Sequence, residues 1–232
     1  MFFERSKNAK PHNWLIHHYC VRSVKKNASH LNGSVLDIGC GIKPYKEIIE
    51  KYCTEYIGLD RLATLHGLKE VEVVGDALFL PFGNESFDSV VSFQVMEHVT
   101  EPQLFLSEAF RVMKHGGKAL LMTPLMWGEH EQPHDYFRFT RYGLRYLAEK
   151  AGFEVIAIEP DTGYWSTAAL RFNYWLNRFG RGPLRYLLMP VWLNQYLALW
   201  LDRIDRSYTV DTATFTWLLQ KPQRDKTNRP EG

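Results

Sequence analysis

The stretch Val35-Leu36-Asp37-Ile38-Gly39-Cys40-Gly41 limits what this chain can fold into more than any other. A short apolar run closes on an acid and then two glycines, the pattern of a buried strand entering a turn with no room for side chains. Pro44 then suits the start of a helix, where its missing N–H is no loss. Strand, glycine turn and helix together form a corner at which a ligand can approach bare backbone. The helix start offers N–H groups to polar or anionic parts of that ligand.

The rest of the chain repeats the rhythm. Apolar spacing at Leu15, Ile16, Tyr19 and Val21 predicts a helix over Asn13 to about His30, ahead of the first strand. His17 and His18 on that helix can reach a ligand at the turn, although solvated or core-edge histidines are the commoner case. Strand one, Val35 to Ile38, feeds a helix of about Tyr45 to Lys51. A second strand, Tyr56 to Leu59, ends in Asp60, nineteen positions beyond Gly41. This is close to the offset of about 20 residues at which an acid meets a ribose. A third strand, Val71 to Val74, precedes Gly75-Asp76-Ala77. A fourth, from Phe87 to Ser92, leads to Gln94 and to Glu97-His98. A helix over Pro102 to Met113, stopped at Gly116-Gly117, precedes a fifth strand at Lys118 to Met122. Helix Arg141 to Ala151, strand Phe153 to Ile158 and a last strand at Thr214 to Leu219 complete the series. Alternating strands and helices predict a parallel, doubly wound α/β sheet whose acid-tipped strands converge on one edge.

Composition removes other classes. The 232 residues are 45% hydrophobic and 23% charged, as in ordinary globular chains. A net charge of +2 without a Lys/Arg-rich run gives no reason to expect nucleic acid. Cys20, Cys40 and Cys53 form neither a CxxC pair nor an even framework, and the N-terminus lacks signal-peptide features, so a cytoplasmic location is expected. A nicotinamide dehydrogenase is disfavoured, because Pro44 occupies the third glycine position of G-x-G-x-x-G.

Five motifs stand in register between about Leu31 and Phe153. They are Val35 to Gly41, Ile57-Gly58-Leu59-Asp60, Gly75 to Phe82, Phe87 to Ser92 with Glu97-His98-Val99, and Arg111-Val112-Met113-Lys114-His115-Gly116-Gly117. With these the chain resembles a class I S-adenosylmethionine-dependent methyltransferase, of the group called methyltransferase type 11. The resemblance implies a Rossmann-like α/β fold with a seven-stranded, mostly parallel sheet whose last strand is antiparallel. It also implies S-adenosylmethionine as cofactor. Asp37, Gly39 and Gly41 would line its methionine part, Asp60 its ribose, Asp76 and Ala77 its adenine and Gln94 its sulfonium, with Cys40 and Arg61 as further cofactor-binding residues. Lys43 departs from the family's usual small residue and leaves the path of the loop open.

The segment Glu129 to Thr140 follows strand five on the cofactor edge and resembles the His-Asp-Tyr-Phe-Arg-Phe-Thr segment of bacterial members that modify glycans or small molecules. His130 or His134 is the candidate base for methylation at oxygen, with Asp135 as orienting partner. Alternatively, Asp135 and Arg138 only brace the loop. His98 reads as structural. The letters His130-Glu131-Gln132-Pro133-His134 match a zinc-protease signature, but Pro133 would interrupt the required helix at a cost of about 3 kcal/mol, so no metal is expected.

Residues 164–206 hold four of the seven tryptophans and a net charge of +4. Leu193, Leu197, Trp200 and Ile204 share one helical face, while Pro183 and Pro190 divide the segment. No run is long and apolar enough to span a bilayer. A helical cap over the acceptor site, a homodimer contact and peripheral contact with the inner membrane surface stay open. The expected organisation is one domain: an N-terminal helical cap (1–33), a cofactor-binding core (34–160), a helical aromatic insertion (161–208), a final strand (209–221) and a fraying tail (222–232). The acceptor is expected to be a small molecule, a glycan or a lipid-like or quinone-like compound. A non-catalytic cofactor-binding module is the alternative outside enzymes.

Overall fold

Strands that are apolar on both sides need helices above and below them. The computed structural model, which describes residues 11–64, 67–177, 189–205 and 211–224, meets that need. The strands are β1 (Ser34–Ile38), β2 (Glu55–Asp60), β3 (Val73–Val74), β4 (Phe87–Phe93), β5 (Met113–Pro124), β6 (Glu154–Pro160) and β7 (Thr214–Gln220). They form one sheet in the order β3-β2-β1-β4-β5-β7-β6. β7 runs antiparallel to both β5 and β6, and the other pairings are parallel. The helices are α1 (Trp14–Asn27), α2 (Lys46–Ile49), α3 (Pro102–Val112), α4 (Arg141–Lys150), α5 (Tyr164–Asn177) and α6 (Met189–Ile204).

The two faces of the sheet alternate with period two, as a pleat requires. Leu36, Ile38, Val90, Ala119, Leu121, Trp217 and Leu219 pack with Phe105, Leu106 and Ala109 of α3 and with Leu144 and Ala148 of α4. Val35, Val91, Leu120, Met122 and Leu218 face Cys20 and Val24 of α1 and Ile49 of α2. The pairing Ile38↔Leu59 and Asp60↔Val74 brings the carboxyl ends of β1, β2 and β3 level. Gly39, Asp60, Asp76 and Gln94 therefore leave the sheet at one edge.

Several expected boundaries move, β3 shortening to Val73–Val74 among them, and two do so for identifiable reasons. α3 ends at Val112, ahead of the two glycines, because Met113 already pairs with Phe87. Lys221 holds that helix end, donating to the carbonyls of Phe110 at 2.9 Å and Met113 at 2.8 Å. Gly116 (φ +79°) and Gly117 instead lie within β5, near its shift in register with β4. A Cβ at Gly117 would strike the Asp88 carbonyl. The other change is at α2, which is a single turn because the chain bends back at Thr54, whose N–H donates to Gly33.

Beneath the glycine corner lies an ion pair that local sequence patterns do not show. Lys43, in a left-handed conformation (φ 50°), buries its side chain completely. Its Nζ donates to both oxygens of Glu72, at 2.7 and 2.5 Å, and stands 5.0 Å from the centre of the Tyr56 ring. Glu72 also accepts from the Gly58 N–H at 2.6 Å. Burial works to raise the Glu72 carboxyl, but the bonds from Lys43 and Gly58 outweigh it and the net shift is downward. Gly58 cannot carry a Cβ, which would collide with Lys43 and Cys40. The departure at Lys43 is thus a tie between the turn after β1 and strand β2.

The insertion between β6 and β7 is tied to α1. Asp202 of α6 accepts from the first-turn N–H groups of α5, Trp165 at 3.0 Å and Ser166 at 3.1 Å, and from the Tyr19 hydroxyl at 3.3 Å. Trp14, Leu15 and Tyr19 pack with Ala169, Leu170 and Ala198. The polarity of α6 is unusual: Gln195 is fully buried, whereas Leu193, Leu197, Trp200 and Ile204 are 72, 49, 56 and 60% exposed. Among the described residues no helix is long and apolar enough to cross a membrane. Arg178, Arg181, Pro183, Arg185, Arg206 and the tail beyond residue 224 lie outside the described residues.

Two predictions follow from these ties. Replacing Lys43 by alanine leaves Glu72 without its cation. Because Glu72 is half exposed, the loss is set at about 2 kcal/mol, or a fall in Tm of roughly 5 °C; calorimetry showing an unchanged Tm would contradict it. The second concerns Asp161, which accepts from the hydroxyls of Ser23 and Thr216 and whose carboxyl burial pushes up to about 7. Between about pH 4 and the folded-state value the unfolded chain releases a proton that the folded chain keeps, so stability falls as pH rises. Asp161→Asn retains an acceptor oxygen and removes that fall, at most about 4 kcal/mol. Thermal unfolding of the variant should depend less on pH across this window than that of the parent.

Candidate active site

A cavity of about 710 Å³ opens at the carboxyl edge of the sheet. One half is made by the turns after β1 to β4: Gly39, Cys40, Gly41, Asp60, Arg61, Asp76, Ala77 and Gln94 all line it. Gly39 (φ +72°) and Gly41 (φ +51°) occupy backbone space that favours glycine, and a Cβ on Gly39 would collide with Val95. Asp60 accepts from the Gly41 N–H at 2.9 Å and the Arg61 N–H at 2.7 Å, so it both shapes the turn and faces the cavity. Asp76 accepts from the Leu78 N–H at 2.8 Å. Gln94 has φ 58° and donates its side-chain amide to Thr214 at 2.8 Å. This half fits the cofactor's nucleoside and amino-acid parts: bare backbone, an acid at the second strand and the apolar walls of Leu59, Val74 and Leu78.

Asp37 is placed differently from the other expected cofactor residues. It is 1% exposed and does not line the cavity. One oxygen accepts from the Tyr56 hydroxyl at 2.5 Å, the other has no hydrogen-bond partner among the described residues, and burial raises the carboxyl to about 7. It underlies the turn. His17 lines the cavity, its pKa lowered by burial, while His18 stacks on Trp14 at 5.2 Å.

The other half is built by the loop after β5. Tyr136 and Phe137 donate their backbone N–H groups to the Glu97 carbonyl at 2.9 and 3.3 Å, docking the loop on the turn that follows β4. His98, His130, Glu131, His134 and Tyr136 line this part. Asp135 holds Arg138 through two short bonds of 2.7 and 2.6 Å and accepts from the His130 N–H at 2.9 Å. The Arg138 contact, opposed by burial, holds the Asp135 carboxyl down at about 2. The structure therefore brings Asp135 to His130, whose Nδ1 is 3.4 Å away, and not to His134, whose Nδ1 meets the Tyr136 hydroxyl at 3.0 Å. Asp135 braces the loop and contacts the histidine at once.

Glu97 escaped sequence reasoning as a site residue. It is fully buried, neither side-chain oxygen has a hydrogen-bond partner among the described residues, and burial pushes its carboxyl up to about 8. Its signal in the chain is the Glu97-His98-Val99 motif, an acid just beyond an apolar strand.

A family model for a methyltransferase domain matches residues 36–121. A probable S-adenosylmethionine-dependent methyltransferase of Mycolicibacterium smegmatis is 35% identical over 148 residues, which cover 59% of this chain and 56% of that protein. The chain thus spans about half the length of that relative, and 44% and 32% of the next two. Among solved structures, the [4+2]-cyclase SpnF aligns with a TM-score of 0.62 at 17% identity, covering 96% of this chain and 87% of that one. A phosphoethanolamine N-methyltransferase 2 of Haemonchus contortus, solved with phosphomonomethylethanolamine and S-adenosylhomocysteine, aligns with a TM-score of 0.58 at 19% identity, covering 92% and 57%. These likenesses in structure speak for the fold alone. Residues 36–121 thus match a methyltransferase domain, and together with the sheet order and the glycine corner the comparisons support a class I S-adenosylmethionine-dependent methyltransferase.

Proposed function

We propose that this chain transfers a methyl group from S-adenosylmethionine to an oxygen of a small-molecule or glycan acceptor. The observation that carries the reading is a single cavity with a glycine-and-acid half at the strand ends and a histidine-rich half supplied by the loop after β5. When bound, the cofactor would supply an electrophilic methyl carbon on a positive sulfur able to leave with the bonding electron pair.

In this reading the backbone at Gly39, Cys40 and Gly41 holds the methionine part, and Asp37 supports that turn from below through Tyr56. Asp60, with the backbone of Arg61, receives the ribose hydroxyls. Asp76 and Ala77 face the adenine amino group, and Gln94 borders the sulfonium. His134 accepts the proton that the acceptor hydroxyl loses as its oxygen bonds to carbon. Its Nδ1 contact with Tyr136 fixes the ring, and that contact can serve either tautomer. His130 is the other candidate, steered by Asp135 and by the Gly128 carbonyl, which its Nδ1 meets at 3.2 Å.

A second reading places the acceptor in a lipid-like or quinone-like class. It is favoured by the outward apolar face of α6, continued by Trp165, Phe172 and Trp175 of α5 at 39, 48 and 50% exposure. Flotation with anionic liposomes separates the two: binding supports a membrane-borne acceptor, and its absence supports a free one.

Calorimetry and acceptor screening test the assignments. Asp60→Ala should weaken S-adenosylhomocysteine binding about tenfold or more, since it removes charged hydrogen bonds. His134→Ala should keep that affinity within about twofold while lowering kcat roughly a hundredfold. Unchanged turnover in the His134 variant would remove it as the proton acceptor.

A further inference from the structure

We propose that Glu97, His98 and His130 form a binding site for a divalent first-row transition metal at the acceptor end of the cavity. Each offers one donor atom, and the three donors lie within 4.8 Å of one another. The cluster has the chemistry of a built site. Glu97 is fully buried, and among the described residues neither carboxyl oxygen has a hydrogen-bond partner. A buried acid left this way is costly, and a cation is the partner that would satisfy it.

The two imidazoles are oriented as metal ligands usually are, with one ring nitrogen tied to an outer partner. His98 Nδ1 faces the His134 carbonyl at 2.6 Å, and a carbonyl can only accept, so that nitrogen carries the proton. Its Nε2 then has a lone pair, and it stands 3.9 Å from Glu97 Oε1. His130 repeats the pattern. Its Nδ1 faces the Gly128 carbonyl at 3.2 Å and Asp135, which Arg138 holds in place. That leaves its Nε2 as the donor. The rings meet edge to face, 4.7 Å apart.

Two imidazoles and one carboxylate suit Zn²⁺ or Fe²⁺ better than Mg²⁺ or Ca²⁺, which prefer oxygen cages. Bonds of about 2.0–2.1 Å place tetrahedral donors about 3.3 Å apart, so the cluster closes by an ångström or so on binding. His130, whose side chain is 31% exposed, has room for that movement. Glu131 Oε2, 3.9 Å from His98 Nε2, is near enough to join as a fourth ligand. The site uses only one histidine of the His130 to His134 string, so it is unrelated to the protease signature and runs against the expectation of no metal. A position left open toward the cavity would take an acceptor oxygen, and this consequence alone rests on the methyl-transfer reading.

The test uses the full chain, stripped with EDTA and titrated with Zn²⁺ by calorimetry and with Co²⁺ by visible absorption. Binding of one equivalent per chain, weakened about tenfold or more in both His130→Ala and Glu97→Gln and unchanged in the remote His115→Ala, is the expected result. Should Glu97→Gln fail to fold, His98→Ala replaces it, with retained S-adenosylhomocysteine binding as the check on folding. Absence of saturable binding, the outcome if Glu97 is simply a protonated buried acid, would overturn the site. So would affinity unchanged in the site variants. Metal binding without any S-adenosylhomocysteine binding would keep the site and overturn the methyl-transfer reading instead.

Discussion

The cavity depends on a turn that is held from both sides. Above it, Asp60 accepts from the Gly41 N–H, so the acid at the end of β2 fixes the glycine turn at the end of β1. Below it, Lys43 reaches Glu72, and Glu72 accepts from the backbone of β2 at Gly58. The two glycines permit the turn, but these charged contacts select one path for it. A buried cation is expensive unless it is paired and hydrogen-bonded, and here the exposed side of Glu72 keeps the pair partly solvated. Preorganised backbone N–H groups at such a corner are what lets a ligand bind without paying to order the loop.

Much of the architecture was legible because parallel strands in this class carry their own punctuation. Val35 to Gly41, Tyr56 to Asp60 and Phe87 to Ser92 each end on a residue type that the sheet edge needs, and these strands lie where their patterns place them. Arg111 and Glu108 show why a motif can also be structural. Arg111 donates to Glu108 and to the carbonyls of Phe82 and Leu80, tying α3 to the chain after β3. The boundaries that moved did so through tertiary contacts: Met113 against Phe87, and Gly117 against Asp88. The partners of Lys43 and Asp37 and the burial of Glu97 come from other strands and turns, which local periodicity does not report.

The loop after β5 joins bracing and chemistry in the same residues. Asp135 binds Arg138, yet the same carboxylate reaches the backbone and ring of His130. Docking of Tyr136 and Phe137 on the Glu97 carbonyl makes the histidine half of the cavity a fixed wall. The insertion is apolar on both sides, since α6 turns Val191 and Ala198 inward around a buried Gln195 and turns Leu193, Leu197 and Trp200 outward. Asp202 and the packing of α1 hold it in that orientation.

The central claim is that the glycine-and-acid half of the cavity is the cofactor's seat. A crystal structure of the chain with S-adenosylhomocysteine tests it most directly. The expected result is the ribose hydroxyls within hydrogen-bond distance of Asp60, the adenine beside Asp76 and Ala77, and the sulfur near Gln94, facing the histidine wall. A ligand bound elsewhere, or one whose ribose makes no contact with Asp60, would contradict it.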